Sequence, residues 1–226
     1  MKIAIMGTGM VSQKLATHLT GQGHELMIGT RNAAETLARS APDGMGNPPF
    51  SAWHKQHSEI GVGTFAEAAA YGEMVFNCTS GMASLSALTE AGEANLNGKI
   101  LVDVANAFDF SKGMPPTFSV SNTDSLGEQI QRAFPAAKVV KALNTVGAPL
   151  MVNPALLAGG DHTIFVCGND AEAKTSVTEL LKSFGWNDIV DLGDITAARG
   201  TEMLMAAWIR LFGVLRTPMF NFKVAR

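Results

Sequence analysis

Short apolar runs alternate with amphipathic segments along most of this chain. Most of the apolar runs have the length and the Val, Ile and Leu content of buried strands, and they lie at 2–6, 24–29, 61–64, 73–79, 99–105, 138–143, 163–168 and 188–192. Segments with a helical pattern follow most of them, at positions up to about 21 and at 33–40, 65–72, 83–96, 125–134, 171–184 and 194–213. This alternation predicts an α/β fold with a doubly wound parallel sheet covered on both faces by helices.

Two segments rich in Pro and Gly, 41–60 and 106–121, interrupt this rhythm and are interpreted as loops. The pattern indicates a first domain over residues 1–147. Residues 148–226 are then expected to form a small C-terminal α/β cap with one long apolar helix.

Composition and charge narrow the class of protein. The net charge is −3 and no run of Lys or Arg occurs, so we expect no nucleic-acid partner. The apolar stretch at 203–215 contains Arg210 and is too short to cross a bilayer, and the apolar run at the start is broken by Gly7 and Gly9. Cys78 and Cys167 lie in apolar runs, which favours buried free thiols in a reducing cytoplasm. Charged residues make up only 16%, and with the apolar helix this predicts a homodimer.

The stretch GTGMVS follows the first predicted strand directly and precedes a helix. Gly7 permits a tight turn, and Gly9 allows the backbone to approach a pyrophosphate, which the unpaired N–H groups at the N-terminus of the helix are placed to meet. Ser12 stands where G-x-G-x-x-G has its third glycine, and it is small enough for close packing. The motif's place between two strands predicts a Rossmann fold that binds a dinucleotide, although a plain strand–turn–helix has the same outline.

The second strand ends without the acidic residue that binds the ribose of NAD. Thr30, Arg31 and Asn32 stand there instead. A guanidinium matches the geometry of a 2′-phosphate and stacks on adenine, and the neighbouring side chains offer hydrogen bonds. This combination predicts NADP(H) as the cofactor, and the alternative is an ordinary surface arginine in a loop.

Small polar residues follow three later strands at what should be one edge of the sheet. A site for the ribose and nicotinamide is predicted there, with the following candidate residues: Thr79, Ser80, Ala105, Asn106, Asn144 and Thr145. Residues of these types also form turns, so ordinary loop chemistry is the alternative for each of them.

Other candidates are weaker, and no catalytic residue is assigned. His54, His57 and Glu59 match no metal-binding signature, so no metal is expected. Lys141 either brings charge to the site or packs its stem along the sheet, and Arg199 and Glu202 have the spacing of a helical ion pair. Apart from Lys141, no His or Lys at the strand ends offers the general acid that isolated carbonyl substrates need, which favours a conjugated acceptor.

The chain resembles the NADP oxidoreductase family that depends on the deazaflavin coenzyme F420. The resembling stretches are GTGMVSQKLA, GTRN, VVKALNTV, NPALLAGGDHTIFVCGNDAEAK and FGWNDIVDLGDITAARGTEM. That family also resembles the cytosolic NADPH-binding domain of six-transmembrane ferric reductases. The resemblance implies a dimer that passes hydride between NADP(H) and a flavin or deazaflavin, with these residues around the cofactor: Thr8, Gly9, Met10, Val11, Thr30, Arg31, Thr79, Ala105, Asn144 and Thr145.

Three functions therefore remain open. The first is an NADP(H)-dependent oxidoreductase with a small-molecule hydride acceptor, either a flavin or coenzyme F420. The second is an NADPH-dependent reductase of a small ketone, imine or 3-hydroxy acid, although such enzymes usually carry a large helical second domain. The third is an NADPH-binding sensor or electron-transfer subunit without catalysis.

Overall fold

An eight-stranded sheet forms the centre of the protein in the computed structural model, which describes residues 1–42 and 46–226. The strands are β1 (Lys2–Met6), β2 (Glu25–Thr30), β3 (Gly61–Thr64), β4 (Met74–Asn77), β5 (Ile100–Asp103), β6 (Phe108–Asp109), β7 (Thr117–Phe118), β8 (Lys138–Ala142), β9 (Thr163–Gly168) and β10 (Asp188–Asp191). The main sheet has the order β10-β9-β8-β5-β4-β1-β2-β3, while β6 and β7 pair separately. The predicted doubly wound α/β fold is confirmed.

The order of the strands places a crevice beside β1. The chain proceeds from β1 through β2 to β3 on one side, and from β4 through β5 to β8 on the other. The connections on the two sides diverge at this point, which is where ligands bind in such sheets, beyond the carboxyl ends of the strands. One pair, β8 with β9, is antiparallel, and the connection between them contains only a four-residue helix, Ala148–Met151, and two 3-10 turns in place of a long crossover helix.

The helices follow the predicted pattern with local differences. They are α1 (Met10–Gly21), α2 (Ala33–Ala38), α3 (Phe50–His54), α4 (Phe65–Tyr71), α5 (Gly81–Ala91), α6 (Glu93–Leu96), α7 (Leu126–Ala133), α8 (Ala148–Met151), α9 (Ala171–Ser183) and α10 (Ala198–Leu215). The single helix expected at 83–96 divides at Gly92, whose φ of 87° lies outside the helical region. The loop expected at 41–60 contains α3, and the loop expected at 106–121 contains the β6–β7 hairpin. Residues 43–45 of the first loop lie outside the described residues.

Two apolar clusters pack on opposite faces of the sheet. One joins α1 and α9 to the sheet around Leu15, Leu181 and Trp186, and the other joins α4, α5 and α7 around Leu88 and Ile130. β9 and β10 extend the same sheet as the earlier strands. The division into domains at residue 147 stays a prediction. Among the described residues, no helix has the length and apolar character needed to cross a bilayer.

Candidate functional site

The glycine turn after β1 brings the backbone close to the neighbouring strand. Gly7 has a φ of 105°, and a Cβ atom there would lie 2.9 Å from the carbonyl oxygen of Cys78, so only glycine fits without strain. Its N–H donates to the carbonyl of Gly29 at 2.9 Å, which fixes the turn to the end of β2. Gly9 precedes α1 and has no side chain to cap it. The first-turn N–H groups of α1 are therefore available to an anion.

A cavity of about 380 Å³, called here the β2-side cavity, opens between this turn and the end of β2. Seven residues predicted from the sequence line it, namely Gly7, Thr8, Gly9, Thr30, Arg31, Thr79 and Ser80. Eight further residues, which no sequence motif indicated, also line it, namely Thr36, Arg39, Phe65, Cys78, Ala83, Ser86, Ala87 and Glu90. Arg31 and Arg39 provide two guanidinium groups to a cavity that has one carboxylate, Glu90, among its lining residues.

Of the polar residues at the end of β2, Thr30 and Arg31 line the cavity, whereas Asn32 has a local structural role. Thr30 is buried, and its hydroxyl lies 2.9 Å from that of Thr36. Asn32 lines neither this cavity nor the next, because its side chain caps α2 by accepting from the N–H of Glu35 at 3.1 Å. Arg39 follows α2 directly, so the helix brings it back to the cavity that Arg31 lines.

A second cavity of about 320 Å³, called here the β5-side cavity, lies beyond β4, β5 and β8. The predicted residues that line it are Val11, Thr79, Ser80, Ala105, Asn106 and Asn144. The other lining residues are Cys78, Gly81, Val104, Phe108, Phe110, Val146, Gly147, Ala148, Met151, Met205 and Trp208. Both cavities share Cys78, Thr79 and Ser80 among their lining residues, so they adjoin at the edge of the sheet and are together called the crevice.

Besides Asn32, two predicted residues lie apart from this crevice. Thr145 is buried and lines neither cavity, and its hydroxyl has no hydrogen-bond partner among the described residues. Met10 is 49% exposed and lines two cavities around α1, together with Trp53. Trp53 does not line the β5-side cavity. Phe108 and Phe110 of the 106–121 segment do line it.

The histidine segment has structural contacts. Trp53 Nε1 donates to Thr17 Oγ1 at 3.2 Å, and His57 Nε2 lies 3.3 Å from the same oxygen. His54 Nε2 lies 2.9 Å from the carbonyl oxygen of Ile60. Within the ranges that the structure describes, no three His, Cys, Asp or Glu side chains are grouped as a metal site.

A buried ion cluster underlies the crevice. Lys141 Nζ lies 2.8 Å from Asp103 Oδ2 and 2.8 Å from Glu202 Oε1, and all three side chains are almost inaccessible to solvent. Burial opposes the charge on Lys141, but the two carboxylates outweigh it and raise the pKa of Lys141 above its ordinary value. The expected pair of Arg199 with Glu202 is wrong, because Arg199 instead binds Glu128 through its Nε at 2.8 Å.

Comparisons with known proteins point to one family. Residues 2–107 match the model of the family described as NADP oxidoreductase, coenzyme F420-dependent. The F420-dependent NADP reductase of Methanocaldococcus jannaschii is 30% identical over 218 residues, which cover 93% of this chain and 92% of that protein. Metalloreductase STEAP3 of Rattus norvegicus is 29% identical over 204 residues, covering 90% of this chain but 36% of that protein. The chain thus spans about a third of the length of that relative.

Solved structures agree with the fold. A candidate F420-dependent NADP-reductase from Arthrobacter sp. FB24 is 58% identical, with a TM-score of 0.96 and full coverage of both chains. A reductive aminase from Aspergillus terreus, solved in complex with NADPH and ethyl levulinate, is 17% identical with a TM-score of 0.63. The alignment covers 95% of this chain and 62% of the aminase, and at this identity the likeness concerns the fold alone.

Proposed function

Because this chain belongs to the family of coenzyme F420-dependent NADP oxidoreductases, as its motifs predicted, we propose that it transfers hydride between NADPH and a flavin or deazaflavin. NADPH supplies the hydride, and the protein contributes binding, orientation and exclusion of water. The two adjoining cavities of the crevice support this proposal, since they offer one region for a dinucleotide and a second for a flat acceptor.

The residues of the β2-side cavity fit the adenosine half of NADPH. The glycine turn and the first turn of α1 are placed for the pyrophosphate, and Arg31 and Thr30 are placed for the 2′-phosphate. Arg39 adds a second guanidinium to the same end. Thr79 and Ser80 lie where the two cavities meet, and Ala105, Asn106 and Asn144 are then proposed to surround the nicotinamide.

The residues that line the β5-side cavity favour a conjugated ring as the acceptor. Among the described residues that line it, none is His, Lys, Asp or Glu, and burial raises the pKa of the Cys78 thiol, which keeps it neutral. A ketone or imine needs a proton at the reacting atom, whereas a conjugated ring distributes the charge that hydride brings. Three aromatic side chains, Phe108, Phe110 and Trp208, offer flat apolar walls that suit such a ring.

The direct test follows deuterium from NADPH into the acceptor. NADPH deuterated at the transferred position is mixed with the protein and with FMN, FAD or coenzyme F420 in turn, and the reduced acceptor is analysed by mass spectrometry. We expect label in a reduced flavin or deazaflavin. Reduction of a simple ketone or imine, but of no flavin or deazaflavin, would establish the second function instead. NADPH binding without reduction of any acceptor would establish the sensor.

We further propose a homodimer that associates through α10. Within its last two turns this helix leaves large apolar side chains exposed, namely Leu211, Phe212, Val214 and Leu215. The same helix provides Met205 and Trp208 to the crevice, so an interface there would adjoin the site. The two cysteines are unpaired, which supports a reducing cytoplasm as the location.

A further inference from the structure

Lys141 is the centre of a buried network for which the proposed hydride transfer has no direct use. It lies on β8, in the interior of the sheet, and its side chain is fully buried. Besides its two carboxylate partners, Asp103 and Glu202, its Nζ donates to the carbonyl oxygen of Ala105 at 2.5 Å. A buried ion cluster is costly to desolvate, so stability alone does not account for it, and fixing the local geometry is the other role open to it.

One arm of the network reaches the crevice through Asp103. The second carboxylate oxygen of Asp103 accepts from Asn77 Nδ2 at 2.8 Å and from the N–H of Ala105 at 3.2 Å. The side-chain oxygen of Asn77 in turn accepts from the hydroxyl of Thr79 at 2.7 Å. Thr79 lines both cavities and Ala105 lines the β5-side cavity. A short chain of hydrogen bonds therefore connects Lys141 to residues that line the crevice.

The other arm reaches the opposite wall through Glu202, near the start of α10. The carboxylate of Glu202 also accepts from the N–H groups of Leu126 and Gly127, at 2.9 and 3.0 Å, which attaches α10 to the first turn of α7. Further along α10, Met205 and Trp208 line the β5-side cavity. The orientation of this wall therefore depends on where Glu202 is held.

We propose that Lys141 is a positioning residue for hydride transfer, since it couples the strand ends that carry Thr79 and Ala105 to the α10 wall that carries Trp208. This inference rests on the proposed function, because it assumes that nicotinamide and acceptor meet in the β5-side cavity. All polar groups of the network are paired, so its geometry is determined before either ligand binds. Small displacements of either wall would then slow the transfer while leaving the adenosine end intact.

The first experiment compares Lys141→Met with Lys138→Met. Both positions lie on β8 and both substitutions remove a lysine from an ion pair, but Lys138 pairs with Asp170 outside the network, at 3.1 Å. With active sites counted by NADPH titration, Lys141→Met is expected to lower kcat by roughly tenfold to a hundredfold. Its primary deuterium isotope effect on kcat should rise, and its NADPH affinity should change by less than about threefold, because the groups that bind the phosphates are unchanged.

Lys138→Met should retain the kcat and isotope effect of the unmutated protein. A purely structural role for Lys141 predicts fewer active sites with a normal kcat and isotope effect at each of them, and that result would overturn the inference. The isotope effect separates the two roles because a loss of folded protein does not alter the rate-limiting step at the sites that remain.

If Lys141→Met does not fold, Glu202→Gln tests the positioning role of Lys141 instead. Glutamine keeps the volume and one oxygen for the N–H groups of α7, but it removes the charge that Lys141 binds. We expect a higher KM for the acceptor and a larger isotope effect with unchanged NADPH affinity. If the folded variant has the unmutated acceptor KM and isotope effect, Lys141 does not position the wall.

A separate readout covers the case in which the unmutated protein reduces no flavin or deazaflavin. That result would refute the proposed function. The positioning role of Lys141 is then tested by the fluorescence of bound NADPH. The inference is supported if nicotinamide emission no longer changes on binding to Lys141→Met but still changes on binding to Lys138→Met. If Lys141→Met does not fold, Glu202→Gln takes its place in this comparison. Equal emission in the folded network variant and the control overturns the inference.

Discussion

Asn106 and Asn144 are joined by two hydrogen bonds across the carboxyl ends of β5 and β8. Asn106 Nδ2 donates to the carbonyl of Asn144 at 2.8 Å, and Asn144 Nδ2 donates to Asn106 Oδ1 at 3.0 Å. Leu143, the preceding residue, has a φ of 63°, a left-handed conformation that costs a non-glycine residue about 1–3 kcal/mol. Such strain is typical of functional sites, and here it occurs where the chain leaves β8 to form the lining of the crevice.

Replacing Asn144 is expected to disturb the nicotinamide end. Asn144→Ala removes the hydrogen bond to Asn106 Oδ1 and should lower the rate of hydride transfer by about tenfold, because the ring is held less accurately. The pH profile should not change, since no amide titrates near neutrality. Pre-steady-state absorbance measures the rate, and Asn187→Ala, at an exposed position outside the crevice, is the control. A new pH dependence in Asn144→Ala would contradict this assignment.

Arg31 is expected to determine the preference for NADPH over NADH. Arg31→Ala should weaken NADPH binding by about 1.5–3 kcal/mol, on the order of tenfold to a hundredfold, because a charge-assisted contact to phosphate is lost. NADH affinity should barely change. Calorimetric titration measures both, with Lys182→Ala on α9 as a control that removes the same unit of charge. Equal affinities of the unmutated protein for NADPH and NADH would refute the cofactor assignment.

Leu211 provides a test of the proposed dimer. It is 39% exposed on the apolar end of α10, and Leu211→Glu places a charge in the expected interface. Light scattering of the unmutated protein should give about twice the mass of one 23.8 kDa chain, and the variant should approach one chain. Leu156→Glu, at a residue 56% exposed elsewhere, should leave the mass unchanged. A monomer at high concentration of the unmutated protein would rule out the dimer.

Both thiols should remain unreactive over the usual pH range. Burial raises the pKa of Cys78, with a further contribution from Asp103, and burial raises the pKa of Cys167 to about 12. Alkylation by iodoacetamide needs the thiolate, so it should stay slow in the native protein up to about pH 9 and follow an ordinary pKa of about 8.5 in denaturant.

The same shift predicts how stability depends on pH. A folded thiol with a raised pKa stays protonated where the unfolded thiol ionises, so the free energy of unfolding should fall as the pH rises above about 8.5. A native alkylation curve with its midpoint below pH 9 would show that these thiols ionise normally.

Gly81 should be intolerant of any side chain. A Cβ atom there would lie 2.0 Å from the carbonyl oxygen of Asn106, so Gly81→Ala must displace either α5 or the backbone at Asn106. We expect this displacement to lower the free energy of unfolding by about 1–3 kcal/mol. At Gly200, inside α10, a Cβ atom would meet nothing within 4 Å apart from the adjoining backbone of its own helix. Gly200→Ala should instead stabilise the protein by roughly 0.5–1 kcal/mol. Urea denaturation measures both, and equal effects would contradict the close approach at Gly81.

The amino-acid sequence by itself determined the alternation of strands and helices, the glycine turn and the residues at the end of β2. These features depend on periodicity and on residue types a few positions apart, so they are present in any short stretch of the chain. The strand ends of β4, β5 and β8 were predictable for the same reason, because parallel strands bring their carboxyl ends to a single edge. Five of the six candidate residues from those ends line the crevice: Thr79 and Ser80 line both cavities, and Ala105, Asn106 and Asn144 line the β5-side cavity.

Only the tertiary structure decided which distant residues complete the site. Arg199 binds Glu128, 71 positions earlier, rather than Glu202, and Glu202 is thereby left to the buried Lys141. Trp208 likewise enters the crevice because α10 packs against α7, and no local pattern distinguishes it from other apolar residues of that helix. Such contacts result from how whole elements pack, and their partners are set by shape and charge in three dimensions rather than by spacing along the chain.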